Sequence, residues 1–282
     1  MAFGWVFDGA ESAVSWSPSL RLKLHRLRWM LKARVGEVLT DASETGPQFR
    51  AAAEELRSRG PLGDHLEFGV FQGTSLIAMR NILDQLGLQD VRSLGFDSFQ
   101  GLPIGAEHED GGAWREGDFA CDLGLVRQRM AEAGVDEGRV SLVKGWFDDT
   151  LTDETKAGLG LRKASLIMID ADLYSSSKLA LNFCADLIRD EAFIFFDDWH
   201  SDHGKLVANN LGQHKAFHEF MAENPALQHA DRGDYRCFGR LAGKVMHVRR
   251  MAARAMAWIL GLPLVGELVA APEAALMAAG AV

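Results

Sequence analysis

The chain has 282 residues, 48% of them hydrophobic and 24% charged, an ordinary globular composition that suits one large α/β domain with decorated ends. A formal net charge of −9 argues against a nucleic-acid binder, because phosphate recognition needs a clustered positive field. Cys121, Cys184 and Cys237 lie far apart and form no CxxC pair, so neither a disulfide frame nor a zinc site is expected, and each reads as a small core residue.

The first residues lack a basic region followed by a long apolar run, and no stretch offers 18 uninterrupted apolar residues. No signal peptide or membrane span is therefore expected, and a cytoplasmic location is the default. Ser17 and Pro18 are a helix start signal, and residues 17–38 are expected to be helical. Within them the basic stretch 21–34 intersperses Leu22, Leu24, Leu27 and Leu31 among cations, an amphipathic surface or partner helix, with contact to a membrane surface as the lesser alternative. A second helix is expected over 46–59, after a polar break at 40–46.

From residue 65 short apolar runs alternate with helical stretches. Strands are expected at 65–70, 91–96, 140–143, 164–169 and 192–196, and helices at 75–86, 123–133, 176–188 and 214–222. Hydrophobic strands separated by helices imply a parallel sheet buried on both faces. Residues 235–241 and 244–250 suggest a closing hairpin that turns at Ala242 and Gly243. An Ala-rich apolar tail, broken by Pro263 and Pro272, then runs to the end and reads as one or two helices packed on the body or on a second subunit. The expected organisation is an N-terminal helical extension or lid (1–60), a central domain (61–250) and a C-terminal helical tail (251–282).

The chemistry gathers where the strands end. The first runs into Glu67, Gly69, Gly73, Thr74 and Ser75, a turn of the kind that brings backbone close to a nucleotide cofactor, with Thr74 or Ser75 free to cap the helix. It is neither GxGxxG nor a P-loop, and an acidic residue beside it favours a sulfonium or amino group over pyrophosphate. The second ends in Asp97 and Ser98, where a carboxylate either accepts ribose hydroxyls or caps a turn. The later strands deliver Asp170, Asp172, Asp197 and Asp198 to one edge. At about 4 Å and an effective dielectric of about 20, each such pair costs about 4 kcal/mol. The group must share a proton, move apart or hold a cation, and an all-oxygen set suits Mg2+ or Ca2+. The alternative is four separate turn or capping aspartates.

In order along the chain, EFGVFQGTS, GFDSFQGLP, VKGWFDDTL, IDADLYSSS and FFDDW resemble the macrocin O-methyltransferases of the TylF/MycF type, class I S-adenosylmethionine enzymes that methylate sugar hydroxyls. The resemblance implies a Rossmann-like sheet of seven mostly parallel strands with the last one antiparallel. It implies that Glu67, Gly69 and Gly73 surround the donor's methionine end, with Thr74 and Ser75 in the same turn. Asp97 and Ser98 would hold the ribose, and Gly145, Trp146 and Phe147 would lie by the adenine. Asp170, Asp197 and Asp198 resemble the family's metal ligands, with Asp170 also facing the donor. Ala171, Ser175 and the segment DDWHSDH depart from the usual pattern on the acceptor side, as does the loop 104–118, which leaves the substrate open.

The expected reaction is Mg2+-dependent methylation of a sugar or glycosylated natural product. Asp170, Asp172 and His200 are expected at the catalytic centre, with Asp172, His200 and His203 as candidate bases. His214 and His218 share a helix face and read as solvated. The loop 104–118 and the N-terminal helices are natural lids, and the basic helix and the tail suggest a homodimer. The alternatives are a methyltransferase for a catechol-like phenol and a non-catalytic protein of the same fold. The phenol reading is weakened because Leu173 stands where a Lys three residues past Asp170 is wanted.

Overall fold

A computed structural model of the protein describes residues 18–34, 42–237 and 240–251. The expected tail, apart from Met251, lies outside them, as does Ser17. Helices α1 (Pro18–Arg34) and α2 (Ala42–Arg59) precede β1 (Asp64–Phe68), α3 (Thr74–Gln85) and β2 (Ser93–Asp97). There follow α4 (Leu123–Glu132), β3 (Val140–Lys144), the short helices α5 (Phe147–Thr150) and α6 (Asp153–Gly158), β4 (Ala164–Ile169) and α7 (Tyr174–Cys184). The remainder is β5 (Glu191–Phe196), α8 (Lys205–Ala208), α9 (Gly212–Glu223), β6 (Leu227–Cys237) and β7 (Arg240–Arg250).

The strands form one seven-stranded sheet in the order β3-β2-β1-β4-β5-β7-β6. β1 to β5 run parallel and β7 runs against both β5 and β6. All five parallel strands therefore end on one edge, and the order turns back at β1 and β4, where open α/β sheets hold ligands. The central strands are buried on both faces, which is why they read as unbroken hydrophobes. Successive side chains point opposite ways. Ile167 and Ile169 of β4 join Phe68, Phe96, Phe183 and Phe217 on one side. Leu166 and Met168 join Phe49, Met79, Phe193 and Phe195 on the other. Each such side chain contributes about 1.5–3 kcal/mol by leaving water.

Two local expectations are corrected. β6 pairs with β7 from Leu227↔Arg250 to Cys237↔Arg240, with Tyr235 opposite Gly243, so Ala242 and Gly243 lie within the paired strand and the hairpin does not turn there. Gly243 lies inside β7 because the Tyr235 ring crosses it: a Cβ there would sit 2.3 Å from Tyr235 Cζ. Likewise α2 begins at Ala42, inside the polar stretch expected to break it; Thr45 is buried there and Phe49 reaches the core one turn later.

Candidate active site

The turn after β1 is built by contact with its neighbour strand. Gly69 adopts a φ of 88°, and a Cβ on it would lie 1.7 Å from the carbonyl oxygen of Asp170, so only glycine fits. Gly73, at φ 78°, is the N-cap of α3, with no side-chain cap. The expectation that Thr74 or Ser75 caps this helix is not met, because Ser75 Oγ instead donates to Glu67 Oε1 at 2.8 Å. Glu67 is fully buried beneath the turn; burial pushes its carboxyl up to about 8, and Oε2 has no hydrogen-bond partner among the described residues. His65, 3.8 Å from it, is pushed down to about 3 by burial and is neutral.

Asp97, at the tip of β2, ties this turn to the next. Its Oδ2 accepts from the N–H groups of Val70 and Phe71 at 2.7 and 2.9 Å, and its Oδ1 accepts from Phe99 at 2.6 Å. A carboxylate offers about four acceptor positions, so little capacity is left for a ligand hydroxyl. Burial raises its pKa, against the pull of these backbone donors. Ser98 donates to the Gly101 carbonyl and accepts from Gln100, both at 3.0 Å, and so builds the turn. Gly145 donates to the Asp97 carbonyl at 3.0 Å, Trp146 precedes α5, and Phe147 packs edge-on against Phe68.

The four aspartates meet at the tips of β4 and β5, whose register pairs Ile169 with Phe196. Burial holds Asp170 and Asp172 well above the usual carboxylate range, and the neighbouring carboxylates add to it; Asp172 also stands at φ 57°. Asp198 is pushed up to about 7, first by burial and then by Asp197. Its Oδ1 accepts from Ser201 Oγ at 2.9 Å, while its Oδ2 is buried with no hydrogen-bond partner among the described residues. Among the described residues no three His, Cys, Asp or Glu side chains stand in metal-binding geometry, so Asp170, Asp197 and Asp198 are brought together but not assembled as a cage.

These tips surround a cavity of about 1520 Å3, larger than the roughly 300–1,000 Å3 usual for one small ligand. Gly69, Asp97, Ser98 and Gly145 to Phe147 line it, as do the four aspartates, His200 and His203. Glu67, Gly73, Thr74 and Ser75 are not on its wall. The His200 ring is held at 3.1 Å by Asp234 of β6, and its backbone N–H donates to the Ala242 carbonyl. Beyond it, Asp202, His203 and Gly204 all take left-handed φ values, which is unusual for the first two, neither of which is glycine.

A family model described as Macrocin-O-methyltransferase (TylF) matches residues 43–225. The chain belongs to the TylF family. Over 160 residues it is 31% identical to the 8-demethyl-8-(2,3-dimethoxy-alpha-L-rhamnosyl)-tetracenomycin-C 4'-O-methyltransferase of Streptomyces olivaceus, covering 53% of this chain and 58% of that one. Over 148 residues it is 26% identical to the mycinamicin III 3''-O-methyltransferase of Micromonospora griseorubida, covering 50% and 56%. The match thus spans less than two thirds of the length of either relative. Among solved structures, the O-methyltransferase NovP superposes with a TM-score of 0.56 at 22% identity, over 73% of this chain and 79% of its own. An O-methyltransferase from Bacillus cereus, solved in complex with SAH, gives 0.54 at 16% identity, over 87% and 97%. These likenesses show the class I methyltransferase fold.

In this TylF-family chain several residues of the site carry no sequence signal of their own. Gln213, fully buried on α9, accepts from the Asp198 N–H and donates to the Ile169 carbonyl, both at 3.0 Å, and so joins the tips of β4 and β5. Asp110, in the loop expected to be a lid, accepts from the N–H groups of Tyr174 and Gly212 at 2.8 Å each, while Glu109 accepts from Ser175. The loop is therefore pinned at its middle to the starts of α7 and α9. Tyr174 points its hydroxyl to Glu219 at 2.6 Å. The inner face of α1 also reaches the cavity through Leu22, Arg26 and Trp29, which the helix's alternation of apolar and basic residues could have flagged.

Proposed function

We propose that this chain transfers a methyl group from S-adenosylmethionine to a hydroxyl of a sugar or glycosylated natural product, with Mg2+ as its metal. The observation that carries the reading is the convergence of the Gly69 turn, Asp97, Gly145 to Phe147 and the four aspartates on one cavity, in a chain of the TylF family. That cavity has room for donor and acceptor together. The donor lies on the wall made by Gly69, Asp97, Ser98, Gly145, Trp146 and Phe147 and beside Asp170, while Glu67, Gly73, Thr74 and Ser75 support its turn from beneath. The central domain is 61–250, with 1–60 as a lid.

The S–CH3 bond breaks as the O–CH3 bond forms, and the hydroxyl proton must pass to a base. Asp172 and His200 flank the acceptor side, with His203 next to them on the wall. Asp234 fixes the orientation of the His200 ring. The donor set fits a hard divalent cation: every candidate ligand is a carboxylate oxygen, and Asp198 Oδ2 is buried without a hydrogen-bond partner among the described residues. Asp170, Asp197 and Asp198 would hold Mg2+, which when bound lowers the pKa of a ligated hydroxyl. The remaining expectations, a homodimer and a cytoplasmic setting, are part of the same reading. Support comes from the half-exposed Leu20, Leu27 and Leu31 on α1 and from the free thiols of Cys121 and Cys184. Among the described residues no helix is long and apolar enough to cross a membrane.

The test is methyl transfer from labelled donor to a panel of nucleotide sugars, glycosides and catechols. Labelling of sugars is expected, and labelling of catechols alone would replace this reading with the phenol one. Asp197→Ala or EDTA is expected to abolish turnover while affinity for S-adenosylhomocysteine survives. Full activity after chelation would remove the metal from the reading.

A further inference from the structure

Arg26 is the only lysine or arginine among the described residues that line the cavity, whereas eight aspartates and glutamates line it. Its Nε is sealed from solvent and has no hydrogen-bond partner among the described residues, although so many carboxylates share the space. A guanidinium cannot shed its proton to relieve that cost, as a buried lysine or histidine can. The sealed Nε faces Gly117, so it is the terminal nitrogens, on the wall of the cavity and without a hydrogen bond or ion pair among the described residues, that a ligand can complete.

The side chain is also held in place. His25 and Trp29, on the same turn of α1, both bond Asp118 Oδ1, at 2.7 and 2.9 Å, and Asp118 Oδ2 accepts from the Arg115 N–H. The Arg26 stem lies against Gly117, where a Cβ would come within 3.0 Å of Arg26 Cγ. Trp29 meets the Phe71 ring of the glycine turn at 6.1 Å and the Phe119 ring at 4.7 Å. The helix thus bridges the donor's turn and the loop on the acceptor side, and carries one fixed cation between them.

We propose that Arg26 is the anion-binding residue of this cavity, taking a carboxylate or phosphate group of the bound substrates through the two-pronged face of its guanidinium. The proposal rests on the methyl-transfer reading and sharpens it. The anion has two sources, the amino-acid carboxylate of the methyl donor or a phosphate carried by the acceptor. In either case α1 is part of the binding site and not only a cover.

Calorimetric titration of the full chain and its Arg26→Gln and Arg26→Lys variants separates the sources. The probes are S-adenosylhomocysteine, 5′-methylthioadenosine (which lacks the amino-acid end), and inorganic pyrophosphate with S-adenosylhomocysteine present. If the donor supplies the anion, Arg26→Gln weakens S-adenosylhomocysteine roughly 10–100-fold and leaves methylthioadenosine unchanged. If the acceptor supplies it, both nucleosides bind as before, while pyrophosphate binds the parent protein and is lost from Arg26→Gln. Arg26→Lys, keeping charge without the fork, falls between. Unchanged binding of all three probes in Arg26→Gln overturns the proposal and leaves the methyl-transfer reading standing. A parent protein that binds neither nucleoside overturns that reading, and the proposal with it.

Discussion

His65 and Glu67, one residue apart on opposite sides of Leu66, are both fully buried in β1 and both neutral near pH 7, and their titrations pull stability in opposite directions. His65 drops from 6.5 to about 3, so its contribution is complete above 6.5 and is lost as pH falls towards 3. Glu67 rises from 4.5 to about 8, so its contribution is complete below 4.5 and is lost as pH rises towards 8. The pair should give a plateau between 4.5 and 6.5, followed by a decline of roughly 2 kcal/mol up to pH 8. Glu67→Gln keeps the shape and removes the proton, so urea melts across pH 6–8.5 should lose that alkaline decline; an unchanged slope would mean Glu67 ionises in the native state. Gln213 offers a second measurement at this scale. Gln213→Leu strips the Asp198 N–H and the Ile169 carbonyl of their partner, at about 1–3 kcal/mol for each buried group. Lower thermal stability is expected, together with a fall in kcat larger than any rise in KM, since the tips of β4 and β5 lose their shared brace. None of this was legible beforehand: the motif marks Glu67 by its place beside the turn, and only the structure shows it fully buried with Ser75 as its partner. Gln213 is one more polar residue on a helix until its depth is known.

Among the elements, β4, β5 and the turn after β1 were readable because burial on both faces leaves an apolar run with nowhere to hide its ends. Helices α5, α6 and α8 were not, being four to six residues long and too short to show a period. The hairpin was misplaced because a glycine demanded by close packing of Tyr235 looks the same in sequence as one demanded by a turn. Helix α3 hides an arginine as deep as any core residue: Arg80 donates to the carbonyls of Val91 and Leu88 and to Asp84. These bonds lock the helix to the turn that leads into β2, so Arg80→Met should cost about 3–5 kcal/mol and lower Tm by roughly 10 °C in a calorimetric scan. The turn after β1 is equally intolerant. In Gly69→Ala the new methyl collides with the exit of β4, so soluble yield or S-adenosylhomocysteine affinity should collapse, whereas Gly87→Ala, where a Cβ meets nothing within 4 Å, should cost only its strained φ.

For the whole molecule, a mostly parallel sheet of seven strands with the acidic strand ends on one edge could be expected once the motifs were recognised together, whereas the order in which the chain lays the strands side by side is seen only in the structure. What a linear reading separates is the long-range closure. Asp118 lies 93 and 89 residues from the His25 and Trp29 that it holds, and nothing in either segment announces the other. The leucines on the outer side of α1 make a prediction at this scale. Leu20, Leu27 and Leu31 are more than a third exposed, and a second copy covering them is the expected occupant. Light scattering after gel filtration should then give twice the 30.9 kDa chain mass, and Leu27→Glu with Leu31→Glu should return it to one. A monomer at high protein concentration would remove the homodimer.

The clip at Glu109 and Asp110 bears on how such a protein changes over generations. One carboxylate secures the starts of two helices, and its neighbour fastens the same corner, so the loop is tied at its midpoint, while its two ends are tied to each other by the Leu102 and Gly117 N–H groups, which donate to the carbonyls of Asp118 and Leu102. Between these ties, the exposed positions Ile104, Glu107 and His108 on one arm and Arg115 on the other can vary without loosening α7 or α9, whereas Leu102, Ala106 and Gly117 are buried. Diversification towards new acceptors should then accumulate in the arms, while the clip stays fixed. Random libraries confined to those exposed positions should yield mostly folded proteins, and libraries that include Asp110 should not.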